Sequence, residues 1–160
     1  MSGQETPSLN GKRIVVVEDD FLLATDICRE LRDLGATVLG PAPTPFYAAQ
    51  LIGQRRVDAA VLDVRLHGTT VFSVADLLRE RGVPIIFATA CDRKAIPSRF
   101  RDACLLEKPL DRKRLVEEIV ALTKRVSIAL TKVAPPAAAL SKQTNQQSFA
   151  RALARTFVRK

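Results

Sequence analysis

Apolar residues along this chain come in two alternating rhythms. Residues 13–18, 58–64 and 84–89 are short, nearly unbroken apolar runs rich in Val and Ile, as expected of strands covered on both faces of a sheet. Two weaker runs, 36–40 and 104–107, complete five predicted strands. Between them, apolar residues recur every three or four positions, which is the helical rhythm. Leu23, Ile27, Leu31 and Leu34 follow Asp20; Tyr47, Leu51 and Ile52 mark a helix over 45–55. Val71, Val74, Ala75 and Leu78 mark one over 71–81, and Leu115, Ile119 and Leu122 follow Asp111. Asp20 and Asp111 stand where a helix needs an N-cap, and Gly35 and Gly82 where one stops. Gly40-Pro41-Ala42-Pro43 is expected to break the second strand, 66–70 to be a loop, and 92–102 to hold no more than a short helix. Strands alternating with helices in this way predict an α/β domain of five βα units around a parallel sheet.

Composition adds little to that picture, but charge does. The formal net charge is +8, which by itself suggests nucleic acid. Residues 126–160 carry six of those positive charges and no acid, so residues 1–125 hold only +2. The basic character belongs to the C-terminal segment, not to a groove in the body. Cys28, Cys91 and Cys104 are scattered, with no CxxC spacing, which argues against a disulfide framework or a zinc site. The N-terminal residues lack the apolar core of a signal peptide, and no run approaches the ~18 apolar residues of a membrane span. The cytoplasm is the expected compartment.

The predicted strands end in chemistry. Glu18 and Asp19 follow the first, Asp63 closes the third, Thr89 the fourth, and Lys108 follows the fifth. In an open α/β sheet these C-terminal strand ends form the ligand-binding edge. Clustered carboxylates repel one another unless a cation sits among them or some protonate. Mg²⁺ suits such a set, because it takes one or two carboxylates together with phosphate and water. A hydroxyl and an ammonium can bind phosphoryl oxygens, and a carboxylate can itself become an acyl phosphate. Asp20 is assigned as a helix cap, His67 as a solvated loop residue, and Cys28 and Cys104 as small core residues.

Taken together, IVVVEDD, AAVLDVRL, IIFATA and LLEKP stand in an order and at spacings that resemble the receiver domain of bacterial two-component response regulators. The resemblance covers about residues 13–125. It implies a flavodoxin-like (βα)5 three-layer fold with sheet order 2-1-3-4-5 and five surrounding helices. It also implies roles: Asp63 as phosphoacceptor, Asp19 as direct metal ligand and Glu18 as the acid that acts through water. Arg65 supplies a backbone carbonyl to the metal, Thr89 is the switch hydroxyl and Lys108 pairs with the phosphoryl group. A cis Lys108-Pro109 bond is common in the family. Three departures stand out. Leu105 occupies the place of a frequent Tyr or Phe, His67-Gly68 that of a frequent Pro, and Ala90-Cys91 follows the switch Thr.

The division expected is a frayed segment over 1–12, a receiver over 13–130, and a basic linker with a helix-compatible stretch over 131–160. Phe149, Leu153 and Phe157 recur every four residues there, as do Arg151, Arg155 and Arg159. Solvated helix or disorder is the plain reading; an amphipathic helix docking on the receiver, a partner or anionic lipid is the sharper one. About thirty residues are too few for a DNA-binding output domain, so DNA is not the expected partner. The expected partners are a sensor histidine kinase or phosphotransfer protein upstream and a protein downstream, with room for a homodimer. The expected function is signalling rather than metabolic catalysis. Its rival is a receiver-fold adaptor that is never phosphorylated.

Overall fold

A computed structural model describes residues 3 and 5–132; the helix-compatible stretch expected beyond 132 lies outside the described residues. The order is β1 (Arg13–Val17), α1 (Phe21–Asp33), β2 (Thr37–Ala42), α2 (Pro45–Ile52) and β3 (Ala59–Leu62). Then come β4 (Arg65–Leu66), β5 (Thr69–Thr70), α3 (Phe72–Glu80), β6 (Ile85–Thr89), β7 (Cys104–Glu107) and α4 (Arg112–Lys132). Five strands form one parallel sheet in the order β2-β1-β3-β6-β7. Counted along the sheet strands alone, that is the expected 2-1-3-4-5.

The unbroken apolar runs follow from this layering. Side chains alternate across a strand, and both faces here are covered. Val15, Val17, Ala60, Leu62, Ile85 and Phe87 pack on one face against Ala48 and Ile52 of α2 and Val74, Ala75 and Leu78 of α3. Ile14, Val16, Ala59, Val61, Ile86 and Ala88 pack on the other against Ile27, Cys28 and Leu31 of α1 and Leu115 and Ile119 of α4. Cys28 is therefore a core residue, as expected, while Cys104 is only half-buried.

Several expectations are corrected. The N-terminal segment does not fray throughout: Leu9 is buried, and its amide donates to the Leu34 carbonyl. Strand β2 runs through Gly40-Pro41 to Ala42, with a register shift against β1. It is an edge strand, where Pro is tolerated because no neighbour needs its missing N–H; Gly40-Pro41 and Lys108-Pro109 are both cis. Gly40 has φ +122°, and a Cβ there would lie 2.6 Å from the Val16 carbonyl oxygen. Helix α2 ends at Ile52, and Tyr47, expected inward, is exposed because Ala48 and Ile52 face the sheet instead. The loop at 66–70 is a two-stranded antiparallel hairpin, Arg65 opposite Thr70 and Leu66 opposite Thr69, turning through His67 and Gly68 at positive φ.

Four α-helices surround the sheet among the described residues, not five. Between β6 and β7 there are two 3-10 turns, Arg93–Ala95 and Ser98–Phe100. Pro97 separates them, and a Pro there cannot donate the bond that would continue a helix. The segment is fastened from outside. Phe100 stacks on Phe72 and meets Phe87 edge-on, at centroid distances of 5.9 and 5.6 Å. Arg99 lies over the Phe100 ring and forms two hydrogen bonds to Asp76. No helix among the described residues is long and apolar enough to cross a membrane.

Candidate phosphoacceptor and metal site

Parallel strands in register bring their C-terminal ends to one edge. Val17 pairs with Leu62, Leu62 with Phe87, and Thr89 with Glu107. The backbone ladder continues one residue further at each functional position. The Glu18 amide donates to the Ala42 carbonyl at 3.0 Å, Asp63 to Val17 at 2.8 Å and Lys108 to Thr89 at 3.0 Å. Side chains far apart in sequence are thereby fixed by main-chain bonds, which is the rigidity a phosphoryl or metal site needs.

Lys108 joins the acids. Its Nζ donates to Glu18 Oε2 at 2.8 Å and to Asp63 Oδ2 at 3.0 Å. Glu18, Asp19 and Asp63 each offer an oxygen within 4.8 Å of the others. Glu18 is 3% exposed and Asp63 7%, so water screens them little. Burial pushes the Glu18 carboxyl up to about 7 from an ordinary 4.5; Lys108 and the Asp20 amide resist that rise, and the Asp63 charge adds to it. Burial also lowers the charged state of Lys108, but its hydrogen bonds to Glu18 and Asp63 prevail and hold its pKa above the usual value. Burial raises Asp19 as well, yet the His67 amide and a hydrogen bond with Glu18 outweigh it and hold that carboxyl below its usual value. One ammonium thus faces two buried carboxylates with a third beside them, a set short of positive charge. Three hard oxygen donors with a charge deficit fit a divalent cation such as Mg²⁺.

The surrounding residues set the rim. Asp20 stands outside the cluster: its Oδ1 accepts from the Leu23 amide at 3.0 Å, the N-cap bond of α1. Thr89 is buried, and its Oγ1 accepts from the Cys91 amide at 3.0 Å. Arg65 opens β4 two residues after Asp63, with its Nε 3.2 Å from Cys91 Sγ. Phe21 and Leu22, at the start of α1, are each 75% exposed beside the acids.

Two contacts escaped the sequence. The His67 amide donates to Asp19 Oδ2 at 3.0 Å, with Nδ1 at 3.5 Å from the same oxygen. His67 is therefore solvated in its side chain and structural in its backbone, a role set by the hairpin turn and by no residue pattern. Cys91, for which the sequence offered no role, touches both Arg65 and Thr89. Hydrogen bonds from those two hold its thiol below the ordinary value.

Known proteins give the site its context. Sensory transduction protein LytT of Bacillus cereus is 32% identical over 116 residues, covering 69% of this chain and 47% of LytT. The solution structure of SdrG from Sphingomonas melonis is matched at 32% identity and a TM-score of 0.61, over 74% of this chain and 98% of SdrG. The receiver domain of Francisella response regulator 1452 is matched at 22% identity and a TM-score of 0.62, over 72% and 98%. That last likeness is one of fold. The chain spans about half the length of the curated relatives it matches. No protein-family model matches it.

Proposed function

Because this chain belongs to the receiver domains of two-component response regulators, we propose that Asp63 accepts a phosphoryl group from a sensor histidine kinase or a phosphotransfer protein, with Mg²⁺ held by Glu18, Asp19 and Asp63. The observation that carries this reading is the Lys108 ammonium bridging Glu18 and Asp63 at 2.8 and 3.0 Å beside Asp19. An Asp63 oxygen attacks phosphorus, the new P–O bond forms as the donor's P–N bond breaks, and the departing imidazole keeps the electron pair. Lys108 turns toward the phosphoryl oxygens, replacing one carboxylate partner by another anion. The Arg65 backbone carbonyl would join these acids in holding the metal. The metal supplies charge neutralisation for the transferring group.

The phosphoryl group adds about −1.5 to −2 charges at Asp63. The Thr89 hydroxyl then leaves the Cys91 amide for a phosphoryl oxygen, which shifts the edge formed by β6, the 3-10 segment and β7. The signal passes by protein contact at that edge, and Phe21 and Leu22 give the donor an apolar foothold next to Asp63. Self-directed hydrolysis of the acyl phosphate resets the state. Residues 13–130 are the receiver in this reading, the cytoplasm its compartment, and a homodimer is compatible with it.

A second reading, the constitutive adaptor, is favoured by Leu105, which sits half-buried on β7 where a rotating aromatic would report the switch. Intact-protein mass after incubation with acetyl phosphate and Mg²⁺ separates the two. The phosphorylation reading expects a gain of one phosphoryl group in the wild type and none in Asp63→Asn. No gain from either acetyl phosphate or a phosphorylated donor protein, with Mg²⁺ binding intact, selects the adaptor.

A further inference from the structure

An open sheet ends in two strands that each have a bare side, and this sheet treats its two edges differently. Strand β2 is guarded, because it carries Pro41, which has no N–H to offer a passing strand. Strand β7 contains neither Pro nor Lys. Its register shows which main-chain groups are spent. Thr89 pairs with Glu107, and the Lys108 amide donates to the Thr89 carbonyl at 3.0 Å. Alternate residues of a parallel strand face the same neighbour, so Cys104, Leu106 and Lys108 turn their N–H and C=O groups toward β6. Leu105 and Glu107 turn theirs outward. The bare stretch is bounded: before it the Ala103 amide is taken by the Phe100 carbonyl at 3.0 Å, and after it Pro109 has no N–H.

Among the described residues β7 is the last strand on its side of the sheet. Between β6 and β7 the chain makes only the two 3-10 turns, and a cleft of about 510 Å³ lies along β7, lined by Asp92, Arg93, Leu105, Glu107 and Arg114 among others. That volume falls in the range of ligand clefts. Apolar surface reaches the edge on both faces of the sheet: Leu105 and Ala103 are half-buried against one core, Cys104 and Leu110 against the other. Glu107 is exposed, and its carboxylate has no hydrogen bond or ion pair among the described residues. The nearby Arg93 guanidinium donates instead to the Arg101 carbonyl at 3.2 Å.

A row of bare amides and carbonyls specifies what covers it. A helix spends its main-chain groups internally, whereas an extended chain has a matching row to give, which is the mode of strand addition. We propose that β7 accepts an extended segment of a partner protein as a further strand of the sheet, with apolar side chains on both of its faces and a Lys or Arg opposite Glu107. Opposite charges directly across a strand pair attract. The proposal names the kind of partner for the protein contact placed at this edge above, and it rests on the phosphoacceptor reading only for what that contact signals. Lys108, next to Glu107 in the chain, bridges Glu18 and Asp63, so the docking strand and the site move as one piece.

The test uses the full, unphosphorylated chain, so its failure is distinct from failure of the phosphoacceptor reading, which the mass measurement decides. Amide hydrogen exchange without a partner comes first: Leu105 and Glu107 should exchange fast, Leu106 and Lys108 slowly. Protection of Leu105 and Glu107 in the free chain means that the edge is already covered, and overturns the proposal. A phage-displayed library of short random peptides is then panned against the chain. The expected binders carry a Lys or Arg, slow exchange at Leu105 and Glu107, and lose affinity when alternate amides of the peptide are N-methylated. Glu107→Gln should weaken them by up to about fivefold. Leu105→Pro should bind them about tenfold more weakly than Leu105→Ala, which loses the same side chain but keeps the N–H. Thermal melts confirm that each variant is folded, and the N-methylated peptides need no variant. No enriched peptide, binders indifferent to N-methylation, or binders that slow exchange elsewhere overturn the proposal.

Discussion

Replacing Glu18 by Gln removes one charge from the cluster while keeping its shape, and the structure sets the size of the effect. The carboxyl is pushed to about 7 from 4.5, and at 1.36 kcal/mol per pKa unit that gap is worth about 3 kcal/mol. Below pH 4.5 the group is protonated in both folded and unfolded chains, and its burial costs nothing. Between 4.5 and 7 the folded state holds the proton more tightly than the unfolded chain, so stability falls as pH rises. Above 7 the whole deficit is present. A neutral amide carries no such deficit, and Lys108 keeps its bond to Asp63. Urea unfolding in EDTA should therefore give similar stabilities near pH 4.5, with Glu18→Gln ahead by about 3 kcal/mol near pH 8. Mg²⁺ narrows the gap, because the wild type keeps its third carboxylate and a gain of about 2.7 kcal/mol at a hundred times Kd nearly cancels its deficit. A difference between the two proteins that ignores pH in EDTA, or a variant that is weaker near pH 8, refutes the argument.

Lys108→Ala leaves two buried carboxylates without their ammonium, so its urea midpoint should drop steeply near pH 8 and recover toward pH 5, where protonation of Glu18 relieves the repulsion; a loss independent of pH would contradict this. Gly40→Ala places a Cβ 2.6 Å from the Val16 carbonyl oxygen at φ +122° and should cost more than about 1 kcal/mol by chemical denaturation. Arg99→Ala removes a pair whose side chains are 46% and 42% exposed, so it should cost under about 1 kcal/mol despite the two hydrogen bonds to Asp76. Thr89→Ala should leave Mg²⁺ affinity intact while blunting the phosphorylation-induced change in amide hydrogen exchange over β6 and β7; an undiminished change removes Thr89 from the switch.

What the sequence made legible was local or strictly periodic. Asp20 caps α1 because an acid ahead of a 3.6-residue rhythm has one useful place to go. Glu18, Asp63 and Lys108 meet because parallel strands must end on one edge. The misses depend either on residues distant in the chain or on turn geometry that no residue propensity signals. Strand β2 survives Pro41 because no strand among the described residues lies beyond it. The hairpin at 65–70 consists of two residues a side and needs His67 at φ 44°, which no propensity signals. Leu9 is buried by contact with the end of α1, and the 3-10 segment is held by the three-phenylalanine cluster rather than by its own pattern.

The bridging lysine also gives the lineage a direction of drift. A mutation that neutralises Asp63 leaves Glu18 and Lys108 as a matched pair, and the fold keeps its electrical balance. A mutation that neutralises Lys108 strands two carboxylates in the interior. Descendants of such a protein can therefore shed the acceptor first and retain a sound scaffold, now free of its donor. If Asp63 is the phosphoacceptor proposed above, the path from phosphorylated switch to unmodified adaptor is a single substitution wide.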